Sequence, residues 1–213
     1  MINRYKELAE DLIDAKDYKD FIKSFDKYPE LKDDNNWVAI GENENNSGII
    51  ENQASNGVDA IIEKITNSID AKLVKECLKL GINPESDDAP KDMKDARLKF
   101  FKVKDPNDSN EWLKIADDIA VIMDGSMQYP TISVVDDGEG QYPKDFPKTF
   151  MSLNKGGKRG KVKFAHGRYG MGSHGTLSMC LDDNNDMTGY QFILSKRNNE
   201  ISKIENKSDK NLF

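Results

Sequence analysis

One stretch limits the folds open to this chain more than any other: Ser55 to Gly81, SNGVDAIIEKITNSIDAKLVKECLKLG. It contains no proline, opens on residues that cap helices and closes on a glycine. Ser55 or Asn56 can accept the first free amides, and Gly81 stands where a left-handed C-terminal residue belongs. The spacing therefore predicts one long helix. At about 100° per residue, Val58, Ile62, Ile65, Ile69 and Leu73 share a narrow face. That face is expected to bury against a sheet. Glu63, Asn67 and Asp70 recur at i, i+4 and i+7 on a second face, roughly 120° or more away. Two carboxylates and an amide thus line a helix that is otherwise core-bound. A solvated polar face is the plain reading of such a row, so the weight falls on residues further along the chain.

The 213 residues suffice for one large domain with its own core, and 37% are apolar and 32% charged. The net charge of −7 argues against a general nucleic-acid-binding surface. No apolar run approaches the roughly 18 residues of a membrane span, and the N-terminus lacks a signal-peptide pattern. Cys77 and Cys180 are too few and too scattered for a disulfide framework or a zinc site, which points to the cytoplasm and reduced thiols.

Residues 1–35 form an N-terminal helical segment. Tyr5, Leu8, Leu12, Phe21, Ile22 and Phe25 give it one amphipathic helix or two, stopped near Pro29. A short strand is expected at Trp37–Ile40 and a loop from Gly41 to Gln53. Pro84, Pro90 and Pro106 mark a surface excursion over 82–108 with a helix near Lys91–Phe101. Asp108 and Glu111 have the spacing of a capping box. Ile119–Met123 and Thr131–Val135 read as strands joined by a turn. A helix is expected at Pro143–Leu153, a helix or turn at Thr176–Cys180, and a strand at Tyr190–Lys196. The tail from Asn198 is polar and shows no closing element.

Two further boxes lie beyond the helix: Asp136-Asp-Gly-Glu-Gly140 at the end of a strand, and Gly167-Arg-Tyr-Gly-Met-Gly-Ser-His-Gly175. Gly170, Gly172 and Gly175 match a dinucleotide fingerprint, but no acidic residue stands in the next strand and no βαβ series surrounds them. A backbone nest for phosphates, running through Gly170, Met171, Gly172, Ser173, Gly175 and Thr176, accounts for them better. Asp182, Asn184 and Asp186 lack the Gly and Glu that a calcium loop needs.

Glu-x-x-x-Asn-x-x-Asp-Ala, then Asp-x-Gly-x-Gly, then a glycine-rich loop: in this order the boxes resemble the GHKL ATPases. These comprise DNA gyrase, the ninety-kilodalton heat-shock chaperone, histidine kinases and MutL, with MORC proteins as relatives. The resemblance runs from about Trp37 to Arg197 and implies the Bergerat fold, a two-layer α/β sandwich with helices on one face of a mixed sheet. Residues 36–213 would be the ATP-binding domain, at the N-terminal end of a longer protein. The resemblance implies that Glu63 is the base that activates water and that Asn67 is a ligand of Mg²⁺. Asp70 would lie near the nucleotide, and Asp136 would accept from the adenine amine in a buried setting. Gly138 and Gly140 would let the backbone approach the base. Lys155, with Lys158, Arg159 and Arg168 as alternatives, would reach phosphate from a lid at about 145–168. Histidine kinases usually carry Asn where Glu63 stands, so the carboxylate favours hydrolysis over phosphotransfer. The implied partners are ATP or ADP, with ATP closing the lid and favouring a homodimer in which residues 1–28 act as a strap. The plainer expectation is that those residues pack on their own domain. A switch that binds ATP without turnover, and a histidine-kinase-like phosphotransferase, are the alternatives. Nucleic acid or a client protein would be met only through further C-terminal domains.

Overall fold

The computed structural model describes residues 2–43, 46, 56–105, 107–151, 162–166, 175–180 and 189–206. Its helices are α1 (Ile2–Asp14), α2 (Tyr18–Lys27), α3 (Gly57–Lys79), α4 (Met93–Phe101), α5 (Ser109–Ala116) and α6 (Asn199–Ile204). Its strands are β1 (Ile119–Gly125) and β2 (Pro130–Asp136).

The long helix forms as its ends dictate. Asn56 is extended (φ −162°) and its side chain accepts the Asp59 amide at 2.9 Å. At the other end the Gly81 amide donates to Leu78 O at 2.9 Å and the Ile82 amide to Cys77 O at 3.2 Å. This double closure needs a left-handed residue, and Gly81 has φ +71°. The buried face differs from the expected stripe. Leu73 and Cys77 are fully buried, in a core with Ala89, Ala96 and Phe164. Val58 and Ile62, however, are 65% and 53% exposed. The first turns bury Ala60 instead, and among the described residues β2 meets the helix at Ser68, α4 at Leu73 and Cys77, and α6 at Lys79.

β1 and β2 form an antiparallel hairpin, registered from Ile119↔Asp136 to Gly125↔Pro130. Among the described residues the sheet is these two strands, which with the helices gives the α/β class expected. The hairpin is held on α3 by charge. Lys72 Nζ lies 2.7 Å from Asp118 Oδ2 and Lys75 Nζ 2.9 Å from Asp137 Oδ2, the two carboxylates standing just before β1 and just after β2. Both lysines are buried along their stems, and their ammonium groups reach carboxylates that are partly in water. The hydrogen bond from Lys72 holds the Asp118 carboxyl below its ordinary range.

Several local expectations change. Trp37–Ile40 is not a strand; a 3₁₀ turn, Ile40–Glu42, closes it, and the Trp37 indole donates to Leu31 O at 2.8 Å. Pro143–Lys148 is a 3₁₀ helix rather than an α-helix reaching Leu153, because Pro147 lacks the amide that an α-helical ladder needs. Tyr190–Lys196 has no strand ladder. Asp108 caps α5, but Glu111 does not reciprocate: its carboxylate accepts the Lys104 and Asp105 amides at 2.6 and 2.9 Å. The polar tail carries α6, whose Ile201 is fully buried while Ile204 is half exposed; two isoleucines in a polar run are too few for a periodic signal. The helix at 93–101, the two strands and a 3₁₀ turn, Leu177–Met179, stand where they were expected.

The N-terminal segment is two helices, separated at Asp17, whose side chain caps α2 through the Asp20 amide at 2.9 Å. The aromatic face of α2 packs on its own chain. Tyr190 stacks on Phe21 with centroids 5.2 Å apart and meets Phe25 edge-on at 5.1 Å, with Trp37 alongside. Among the described residues no helix is long and apolar enough to cross a membrane.

Candidate functional site

The described part of the site is organised by the crossing of α3 and the Asp136–Gly140 turn. The two backbones come within direct hydrogen-bond reach: the Glu139 amide donates to Ala71 O at 3.1 Å. Such an approach requires small residues on both sides. A Cβ on Gly138 would lie 2.5 Å from Ala71 Cβ and 2.7 Å from Asp136 Oδ1. Gly140 has φ +59°, and a Cβ there would collide with Lys196 O.

Asp136 ends β2 with its carboxylate used from two directions. Oδ1 accepts the Gly138 amide at 2.9 Å, which shapes the turn, and Oδ2 lies 3.0 Å from Ser68 Oγ on α3. Asp136 is exposed, in contrast to the buried setting expected of it, because the strand ends at the surface of the hairpin. The outward side of the turn is clamped as well. Arg197 Nη1 lies 2.8 Å from Glu139 Oε2 and 3.1 Å from Gly140 O, and Nη2 lies 2.6 Å from Glu205 Oε1. The two carboxylates raise the Arg197 pKa against the opposing effect of burial. Tyr142 closes the network by donating to Glu205 Oε2 at 2.8 Å.

On α3, Glu63 and Asn67 are half-buried and Asp70 is buried. The Asp70 carboxylate accepts the His166 backbone amide at 3.0 Å. Lys64, beside Glu63 in the chain, has its ammonium pushed down by burial to about 8, although Cys180 and Glu63 act to raise it. Gly175 is buried, and the Thr176 hydroxyl lies 3.1 Å from Gln191 Oε1. Lys155, Gly170, Met171, Gly172 and Ser173 lie outside the described residues, as do Lys158, Arg159 and Arg168. Within the span expected to form a lid, about 145–168, Phe164 is fully buried in the core of the domain.

Ser68, Lys64 and Arg197 do not stand out in the sequence as site residues. Ser68 carries a signal, since it adjoins Asn67 directly and falls on the side of the helix that faces the turn. Arg197 carries none, because its partners are 58 and 8 residues away in the chain.

Among the described residues no group of three or more His, Cys, Asp and Glu side chains could hold a metal by itself. What α3 offers is the amide oxygen of Asn67, a hard oxygen donor of the kind that fits Mg²⁺, which takes most of its ligands from phosphate oxygens and water.

No curated protein and no solved structure matched the chain. A family model, described as histidine kinase-, DNA gyrase B-, and HSP90-like ATPase, matches residues 55–212, from the cap of α3 to beyond α6. That span covers most of the chain and includes every box of the site, so the protein belongs to the histidine kinase-, DNA gyrase B- and HSP90-like ATPases, a family of ATP-binding domains with an α/β fold.

Proposed function

We propose that residues 36–213 form a Mg²⁺-dependent ATPase domain preceded by the helical segment 1–35. The observation that carries this reading is the crossing of α3 and the Asp136 turn, joined by Glu139 N–H to Ala71 O and by Ser68 to Asp136. It sets the carboxylate-bearing face of one helix beside a strand-end carboxylate, which separates a place for phosphate chemistry from a place for the base.

Asp136 accepts a hydrogen bond from the adenine amine with a lone pair that Ser68 and Gly138 leave open. Gly138 and Gly140 let the base lie against backbone. Amides of the stretch Gly170–Thr176 hold the β- and γ-phosphates, with Lys155 as a cation beside them. Asn67 contributes an oxygen ligand to Mg²⁺, and the metal when bound neutralises charge building on the phosphate oxygens. Glu63 takes the proton of a water whose oxygen attacks the γ-phosphorus as the bond to ADP breaks. Binding of ATP favours closure of the lysine-rich segment and a homodimer, and the protein works in the cytoplasm with Cys77 and Cys180 as free thiols. What hydrolysis drives, whether chaperone-like, DNA-directed or phage-defence work, is not a property of this fold.

Titration calorimetry with ATP and GTP in the presence of Mg²⁺ tests the reading. ATP should bind more tightly, and Asp136→Ala should lose about 1–3 kcal/mol of that affinity. Equal affinity for the two nucleotides, or full affinity in Asp136→Ala, removes the adenine assignment.

A further inference from the structure

The resemblance sets Asp70 against the nucleotide, and in the structure its carboxylate holds a piece of backbone. Asp70 is 3% exposed, and a carboxylate in such a place needs donors. Its Oδ1 accepts the His166 amide at 3.0 Å, with the imidazole Nδ1 3.9 Å from the same oxygen. His166 closes a short run, 162–166, that is fastened elsewhere too. Phe164 is 1% exposed, packed with Leu73 and Cys77 and set edge-on to Phe100 with centroids 6.1 Å apart. Val162 packs against the same core, and Lys163 Nζ reaches Asp87 Oδ1 at 2.9 Å. In sequence this run separates the lysine-rich stretch that ends at Lys161 from the glycine-rich stretch that begins at Gly167.

We infer that Asp70 is a positioning residue: by holding the His166 backbone it fixes the point from which the chain enters the phosphate-binding stretch, and it acts through that amide rather than on the nucleotide. The inference rests on the nucleotide reading above. Leu73, one turn beyond Asp70 on α3, is part of the core that receives Phe164, so the helix grips the run at two successive levels. The amide needs an acceptor oxygen and not a charge, so the role separates cleanly from a charge-dependent one.

The test is an NMR titration of the full 213-residue chain with Mg–ATP and with adenosine, which has no phosphates, together with hydrogen exchange at the His166 amide. In the free wild type that amide should exchange slowly; exchange at the rate of an open loop would overturn the anchor without any variant. Asp70→Ala should bind adenosine as the wild type does and ATP roughly tenfold more weakly, the scale of one lost hydrogen bond to a charged group. Asp70→Asn, which keeps an acceptor oxygen, should restore ATP affinity to within about threefold of wild type. Equal loss of adenosine and ATP in Asp70→Ala would place Asp70 on the base side and overturn the inference. So would unchanged ATP affinity in Asp70→Ala, or an Asp70→Asn variant as weak as Asp70→Ala. Failure of the wild type to bind either ligand would instead refute the nucleotide reading, while the exchange rate would still report on the anchor.

Discussion

Replacing Gly138 with alanine tests the helix–turn crossing on which the site depends. The added Cβ would stand 2.5 Å from Ala71 Cβ, 2.7 Å from Asp136 Oδ1 and 3.0 Å from the Ala71 carbonyl carbon. Carbon atoms rest at about 3.5–4.0 Å, so the turn must move away from α3 by about 1 Å. None of the three contacts is the free end of a long side chain: one is a methyl fixed to the helix, one is helix backbone, and the carboxylate is held by the Gly138 amide and Ser68. A shift of that size also lengthens the bond from Glu139 N to Ala71 O, now 3.1 Å. Overpacking of about 1–3 kcal/mol and one backbone hydrogen bond of about 1 kcal/mol give a loss of roughly 2–4 kcal/mol. For a chain of this size that corresponds to a drop in Tm of about 5–15 °C. Thermal unfolding monitored by circular dichroism reads it directly. Ala71→Gly removes the nearest of the three obstacles, so in that background the Gly138→Ala penalty should shrink by about 1 kcal/mol. A wild-type Tm in Gly138→Ala, or the same penalty in both backgrounds, would refute the close crossing.

Other perturbations separate chemistry, charge and fold. Glu63→Ala should keep ATP affinity and lose turnover by roughly 10²–10⁴-fold, measured as phosphate release; unchanged hydrolysis would mean that another group activates water. Asn67→Ala should weaken both ATP binding and turnover, and raising Mg²⁺ should recover part of the loss. Arg197→Met leaves Glu139 and Glu205 without their shared cation and should cost about 3 kcal/mol of stability in urea unfolding, with part returned by adding Glu139→Gln. Lys64 has its pKa lowered from 10.5 to about 8 in the folded protein. Between those values the unfolded chain holds a proton that the folded one has released, so its contribution to stability rises with pH across that window and is flat below about 8. The wild-type minus Lys64→Met difference in urea midpoint should therefore change steadily from pH 8 to pH 10, in favour of the wild type; a constant difference would remove the role given to burial.

The sequence by itself determined the elements whose causes are local. Asn56 and Gly81 bound α3 because a cap and a left-handed residue act within one turn of the chain. The hairpin and α4 were legible for the same reason, as were the order of the three boxes and the family that they imply. What the tertiary structure decided is which faces are buried and what holds the pieces together, since those depend on partners far away in the chain. Periodicity placed Val58 and Ile62 in the core, but the first turns of α3 bury Ala60 instead, and among the described residues β2, α4 and α6 meet the helix at Ser68, Leu73, Cys77 and Lys79. Charged residues at helical spacing read as solvated, yet Lys72 and Lys75 are buried because Asp118 and Asp137, the second of them 62 residues beyond its lysine, return to meet them. The row Glu63, Asn67 and Asp70 was visible as a row, but that Asp70 turns to the His166 backbone while Asp136 meets Ser68 could come only from the packed chain. A side chain's type is written in the sequence; the donor that satisfies it is chosen when distant segments close over it.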